Sequence, residues 1–109
     1  MTGTFHYSFS DFRLWEAIQE TSDILQAAIS HKKINFQVVV SEDIKKKVVR
    51  SDKQRIIQVL VALFMNSIKF TPLGGAIVLI LKWTQPTNLF KFIIIDNGQG
   101  MNEDTLNVI

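Results

Sequence analysis

The sequence predicts an α+β fold, with helices packed on one face of a mixed, mainly antiparallel sheet. Two observations support this prediction. Segments with apolar residues at helical spacing alternate along the chain with shorter segments in which apolar residues recur at every second position or continuously, as in strands. The last two strand segments are joined by only a few residues, so we expect them to form an antiparallel hairpin.

The composition is that of one globular domain. The chain has 109 residues, of which 47% are hydrophobic and 20% charged, which suits a single core. Its net charge of +2 is too small for a nucleic-acid surface, and no apolar run is long enough to span a membrane. Cysteine is absent, which excludes disulfides and thiolate metal sites. We therefore expect one domain over residues 1–109 that contacts neither nucleic acid nor membrane.

The first half of the chain is predicted to form a strand, a helix and a second strand. Aromatic and polar residues alternate over 5–9, which is typical of a half-buried strand. Ser10 is expected to cap a helix that ends near His31. Alternation returns over 34–40 and predicts the next strand. Beyond a turn at residues 41–43, residues 48–50 are expected to be extended.

The longest helix is predicted to run from about residue 52 to Thr71. Ser51 or Asp52 can cap its start by accepting hydrogen bonds from free backbone N–H groups. Pro72 and the pair Gly74-Gly75 end it. Its residues are apolar on nearly all sides, so we expect this helix to lie deep in the core.

One narrow stripe of this helix is not apolar. Ala62, Asn66 and Lys69 are spaced i, i+4 and i+7, and therefore share a face. A buried amide beside an ammonium group needs a polar partner. The Asn66 oxygen would suit Mg²⁺, Lys69 would suit a phosphate, and Phe70 offers an apolar face to a base or to the core. The structural alternative is an Asn66 that bonds backbone groups, with Lys69 extending to solvent at the helix end.

The second half of the chain continues with the hairpin. Residues 76–83 form a continuous apolar segment, predicted to be a strand buried on both faces or nearly so, and 89–95 form the return strand. Asn102 is expected to cap a further helix from Glu103 onward, because acidic residues fill its first turn.

A second polar cluster follows the return strand. Asp96 stands at the end of a buried strand, where its carboxylate can accept a hydrogen bond from an exocyclic amine such as that of adenine. Gly98 and Gly100 let the backbone approach a ligand closely. The structural alternative is an ordinary Asp-Asn-Gly turn. The spacing fits neither a calcium loop nor a Walker-type phosphate loop.

In this order, the two clusters resemble motifs of the ATP-binding catalytic domain of sensor histidine kinases. That family belongs to the GHKL superfamily with DNA gyrase, MutL and the heat-shock chaperone ATPases. Residues 58–75 resemble its N box and residues 96–101 resemble its first glycine-rich box. The similarity extends from about Phe5 to the end of the chain. It implies a two-layer α/β sandwich of the Bergerat type, with ATP between the central helix and the sheet.

The resemblance also implies roles for individual residues. Asn66 would hold Mg²⁺, Lys69 would contact phosphate, and Asp96 would bond the adenine amino group. The glycines would let the backbone pass close to the base, with Met101 packing beneath it. The implied ATP-binding residues are Asn66, Lys69, Phe70, Asp96, Gly98, Gly100 and Met101. The implied partners are a histidine on a separate dimerisation domain, which receives the phosphoryl group, and a response regulator. The implied location is the cytoplasm, or the cytoplasmic part of a membrane-anchored sensor.

Three departures from the family pattern define the alternatives. Ala62 stands where histidine kinases usually have a second Asn and the ATPase branches have a Glu that activates water. The chain is expected to end before the lid and the second glycine-rich box, and neither His6 nor His31 lies in a phospho-acceptor motif. We expect this chain to be inactive alone as a kinase. The alternatives are a degenerate, pseudokinase-like module that binds a nucleotide or a protein without catalysis, and an α+β domain with no ligand.

Overall fold

The computed structural model describes residues 8–84, 89–96 and 100–107, with the backbone alone for Thr84, Leu89 and 100–107. The described chain has the predicted α+β composition: strands and helices alternate as far as β4, and two further strands follow. Their order is β1 (Ser10–Arg13), α1 (Leu14–His31), β2 (Asn35–Val39), α2 (Glu42–Lys45), β3 (Val48–Ser51), α3 (Lys53–Phe70), β4 (Ala76–Thr84), β5 (Leu89–Asp96) and β6 (Gly100–Asn107). None of the described helices is long and apolar enough to cross a membrane.

The main sheet is mixed and mainly antiparallel, as predicted. Its strand order is β2-β4-β5-β6, with β2 parallel to β4 and the other neighbours antiparallel. Strands β1 and β3 form a separate antiparallel pair. The parallel pair is made possible by α3, which lies in the connection from β2 to β4.

The core lies between the inner face of the sheet and helices α1 and α3. Alternate residues of β4 and β5 are at most 3% exposed, and these are Ile77, Leu79, Leu81, Phe90, Phe92 and Ile94. Phe64 of α3 meets Phe36 of β2 edge to face, with ring centroids 5.3 Å apart. On the other face of β4, Val78 and Ile80 are only half-buried. The strand is therefore fully buried on one face and half-buried on the other, which falls short of the predicted burial on both faces or nearly so.

Helix α3 begins as predicted, with Asp52 as its N-cap residue. The Arg55 N–H donates to Asp52 Oδ1 at 3.2 Å, and the Ser8 N–H donates to Oδ2 at 3.1 Å. The side chain is 9% exposed. One carboxylate therefore fixes the start of α3 and also holds the segment before β1.

The expectation that α3 lies deep in the core is wrong. One side of the helix is buried through residues such as Leu60, Phe64 and Ile68, but its opposite side is exposed. Met65, although apolar, is 46% exposed. The reason is that α3 packs on α1 and the sheet from one side only.

Two boundary predictions are corrected by the structure. Ser10 starts strand β1 and does not cap α1, which follows directly after Arg13. Glu42 and Asp43 of the predicted turn begin the short helix α2, and Ser41 caps it by accepting a hydrogen bond from the Ile44 N–H through its hydroxyl. Most of the predicted strand 5–9 lies outside the described residues.

The predicted helix after Asn102 is wrong, because residues 100–107 form strand β6. Along its whole length β6 pairs with β5, from Asp96 opposite Gly100 to Leu89 opposite Asn107. The capping signal at Asn102 is local and weak, whereas pairing satisfies the backbone groups of an otherwise open strand edge.

Helix α1 ends at His31, as predicted, in a left-handed turn. The Ile34 N–H donates to the Ile29 carbonyl and the Lys33 N–H to the Ser30 carbonyl, which is the Schellman pattern. Lys33 occupies the left-handed position with φ 53°. Glycine is the residue usually preferred there, so this turn stores backbone strain.

Candidate functional site

The stripe predicted from the sequence is present on α3. Ala62, Asn66 and Lys69 are all exposed, whereas Phe64 and Ile68 beside them are buried. The prediction that the three residues share a face is therefore consistent with the structure. The prediction that the Asn66 amide is buried is wrong, because the stripe lies on the exposed side of α3. Both polar groups are accessible to a ligand.

Phe70, the last residue of α3, is also exposed. It is 47% exposed, and the Lys69 ammonium lies 5.5 Å from the centroid of its ring. This distance is within the range of a cation–π contact. Of the two roles left open for Phe70, packing in the core is excluded by its exposure.

The turn that ends α3 is held by several hydrogen bonds and begins at a buried residue. Thr71 is fully buried, and both its N–H and its hydroxyl donate to the Ser67 carbonyl, at 2.9 and 2.8 Å. After Pro72, Gly74 adopts φ 76°, a left-handed conformation that favours glycine. The polar end of the helix is thus held on a defined turn.

Lys32 also contacts this turn, a role that was not predicted from the sequence. Its ammonium group donates to the carbonyl oxygens of Ile68 at 2.7 Å, Lys69 at 3.1 Å and Thr71 at 2.7 Å. Carbonyls at a helix C-terminus lack partners within the helix, so a cation there is favourable. Thirty-six residues separate Lys32 from Ile68, and no local pattern in the sequence reveals a contact at that distance.

Asp96 is placed where the sequence predicted, at the end of β5. It is 5% exposed. By strand alternation it lies on the same face as the buried Phe92 and Ile94, which is the face covered by helices. Helix α3 contacts β5. The two predicted clusters therefore belong to elements that pack against each other.

The remaining predicted residues are only partly described. Gly98 lies outside the described residues. The backbone of Gly100 and Met101 begins strand β6, with Gly100 opposite Asp96 and Met101 opposite Ile95. The structure thus gives Gly100 and Met101 a place beside the end of β5.

The donor set suits magnesium better than a transition metal. Within the described residues, no three His, Asp or Glu side chains converge on a point. An exposed amide such as that of Asn66 is a hard, neutral ligand, and Mg²⁺ keeps several waters and takes further oxygens from phosphates. The residues present fit a magnesium ion that arrives with a phosphate ligand. Ala62, one turn before Asn66, adds no ligand.

Comparisons with known proteins agree on one type of domain. No family model matches the chain. The Vibrio cholerae autoinducer 2 sensor kinase/phosphatase LuxQ is 34% identical over 110 residues, which cover 98% of this chain. The catalytic domain of the histidine kinase ThkA shares 25% identity and superposes with a TM-score of 0.74 over 84% of this chain. ThkA has also been solved in complex with the response regulator TrrA. Full-length ShkA, solved with AMPPNP, has the same fold at 19% identity and a TM-score of 0.73.

The chain corresponds to only part of each of these proteins. It spans 12% of the length of LuxQ and 60% of the ThkA catalytic domain. The fold predicted from the sequence is that of the solved neighbours, with helices on one face of a mixed sheet.

Proposed function

Since this chain belongs to the family of histidine kinase catalytic domains, we propose that it binds Mg-ATP between the exposed stripe of α3 and the end of β5. One observation supports this site above the others. Asn66 and Lys69 stand exposed on one face of α3, and the strand packed against that helix ends in the buried Asp96. A phosphate-binding group and a base-binding group thus lie on neighbouring elements.

Asp96 would bind the base. Adenine has an exocyclic amino group that donates hydrogen bonds, and a carboxylate is the strongest acceptor a side chain offers. Burial strengthens such a bond because the local dielectric constant is low. Gly100, opposite Asp96 in the sheet, has no side chain and would let the base approach the backbone.

Asn66 and Lys69 would bind the phosphate end. The Asn66 oxygen would hold Mg²⁺, which neutralises phosphate charge when bound. Lys69 would add a point charge for a phosphate oxygen, and Phe70 would cover the nucleotide from the helix end. The nucleotide AMPPNP in the ShkA complex supports this class of ligand.

The reaction we propose is phosphoryl transfer to a histidine on a separate dimerisation domain. Such catalysis consists mostly of positioning and charge neutralisation. Ala62 bears no basic group, so activation of water by this residue is excluded. A response regulator would be the downstream partner, as the ThkA–TrrA complex supports, and the cytoplasm would be the location.

The second candidate is a nucleotide- or protein-binding module without catalysis. Ala62 favours it, because the face of α3 offers one amide where two would hold the metal more firmly. Phosphoryl transfer separates the candidates, since only the first requires label from γ-³²P-ATP to reach a histidine on an added dimerisation domain.

Calorimetric titration tests the binding site directly. We expect ATP and ADP to bind in the presence of Mg²⁺ and more weakly in EDTA. Asp96→Asn should reduce affinity for both about 10- to 100-fold, the usual cost of losing a hydrogen bond to a charged group. Asn66→Ala should abolish the difference between Mg²⁺ and EDTA.

The matched control is Asn35→Ala, which removes an exposed amide from β2. It should leave both titrations unchanged. Binding that is indifferent to Asp96→Asn and Asn66→Ala alike would refute the proposed site.

A further inference from the structure

The contacts of Lys32 connect the end of α1 to the end of α3. Its side chain donates to three carbonyl oxygens, those of Ile68, Lys69 and Thr71. Its own carbonyl accepts from the Gly74 N–H at 2.8 Å. One residue therefore binds the turn after α3 through both its side chain and its backbone.

These carbonyls lie next to the proposed phosphate end of the site. The Lys69 carbonyl belongs to the residue whose ammonium would contact phosphate, and the Ile68 carbonyl precedes it. The C-terminal end of a helix has a negative potential from its free carbonyls. That potential would repel a triphosphate unless a cation compensates it.

Lys32 supplies that compensation without occupying the exposed stripe. Its ammonium group lies on the carbonyl oxygens, whereas the side chains of Asn66 and Lys69 face solvent. Lys69 is thereby left available for a ligand. The three hydrogen bonds also restrict the direction in which the last turn of α3 presents Lys69 and Phe70.

We infer that Lys32 is a positioning residue for the phosphate-binding end of α3. It fixes the last turn of the helix and compensates the negative potential of the carbonyl oxygens there. A triphosphate that binds Lys69 is then not repelled by the helix end. This inference rests on the proposed function. It adds to the site a residue that contacts no nucleotide itself.

The test compares ATP with adenosine, because adenosine lacks the phosphates. In the 109-residue chain, Lys32→Met should weaken ATP binding in Mg²⁺ about tenfold, the size expected for a cation at a helix terminus in a partly buried site. Adenosine affinity should change by less than about twofold. Lys32→Arg keeps the charge and several donors, and should restore most of the ATP affinity.

Lys33→Met is the matched control. Lys33 is adjacent and exposed, so its removal changes the net charge by the same amount. It should alter neither affinity by more than about twofold. Three outcomes would each overturn the inference. Lys32→Met could weaken ATP and adenosine binding equally, or leave ATP binding unchanged. Lys33→Met could weaken ATP binding as much as Lys32→Met does.

Amide hydrogen exchange separates this inference from the proposed function. In Lys32→Met, the Thr71 and Gly74 amides should exchange about tenfold faster than in Lys33→Met, while the buried amides of β4 are unchanged. If the unaltered chain binds neither ATP nor adenosine, the proposed function fails and the role toward phosphate fails with it. Hydrogen exchange still tests the separate claim that Lys32 fixes the end of α3. Unchanged exchange rates of the Thr71 and Gly74 amides in Lys32→Met would reject that claim as well.

Discussion

Removal of the Asp52 carboxylate should destabilise the domain by about 2 kcal/mol. Loss of the N-cap acceptor for Arg55 costs about 1 kcal/mol. The partly buried Ser8 N–H, left without the acceptor it has now, adds about 1 kcal/mol. Asp52→Asn keeps one oxygen and an equally good capping residue, so it should lose only about half as much.

Urea unfolding followed by tryptophan fluorescence measures this loss. With a slope of about 1.5 kcal/mol per molar, Asp52→Ala should lower the midpoint by about 1.3 M. Asp43→Ala is the control, because Asp43 is an exposed acid in the first turn of α2. It should stay within about 0.5 kcal/mol of the unaltered chain. The reasoning would be refuted if Asp52→Ala lowered the free energy of unfolding by less than about 0.5 kcal/mol. It would also be refuted if Asp52→Ala and Asp52→Asn lowered it equally.

Three further predictions concern stability. Phe64→Ala should lower the free energy of unfolding in urea by about 3–5 kcal/mol, because Phe64 is 1% exposed and packs on Phe36. A loss below about 2 kcal/mol, as expected at a half-exposed site, would contradict its place in the core. Lys33→Gly should relieve the left-handed strain and stabilise by about 0.5–1 kcal/mol; a lower melting temperature would contradict it. A hydrogen bond to Glu20 raises the pKa of Lys53 above 10.5. The charged Lys53 therefore stabilises the fold below pH 10.5, and this contribution is lost as the pH rises through the raised pKa. In urea unfolding at strongly alkaline pH, the free energy of unfolding of Lys53→Met should approach that of the unaltered chain. A difference between the two that grows with pH would contradict this prediction.

Much of the fold could be predicted from local signals. The bounds of α3 follow from Asp52 before it and Pro72 after it, and the β4–β5 hairpin follows from two apolar segments with a short connection. The resemblance of residues 58–75 and 96–101 to two motifs predicted the family. These signals depend on neighbouring residues, which a sequence displays directly.

The errors arose where long-range packing decides. Apolar residues on nearly all sides of α3 suggested full burial, but the helix packs from one side and leaves Met65 and Asn66 exposed. The acidic residues after Asn102 suggested a helix, but the edge of β5 pairs with this segment. The contact of the Lys32 ammonium with the end of α3 was missed, because the two lie 36 residues apart in the chain.

The central claim is that α3 and the end of β5 form one nucleotide site. Backbone amide NMR during titration with ADP and Mg²⁺ tests it most directly, because each shifted amide reports its own position. We predict joint shifts at Asn66–Phe70 and at Asp96–Met101, with one common dissociation constant. Shifts confined to one of these segments, or to the outer face of the sheet around Val78 and Ile80, would contradict the account.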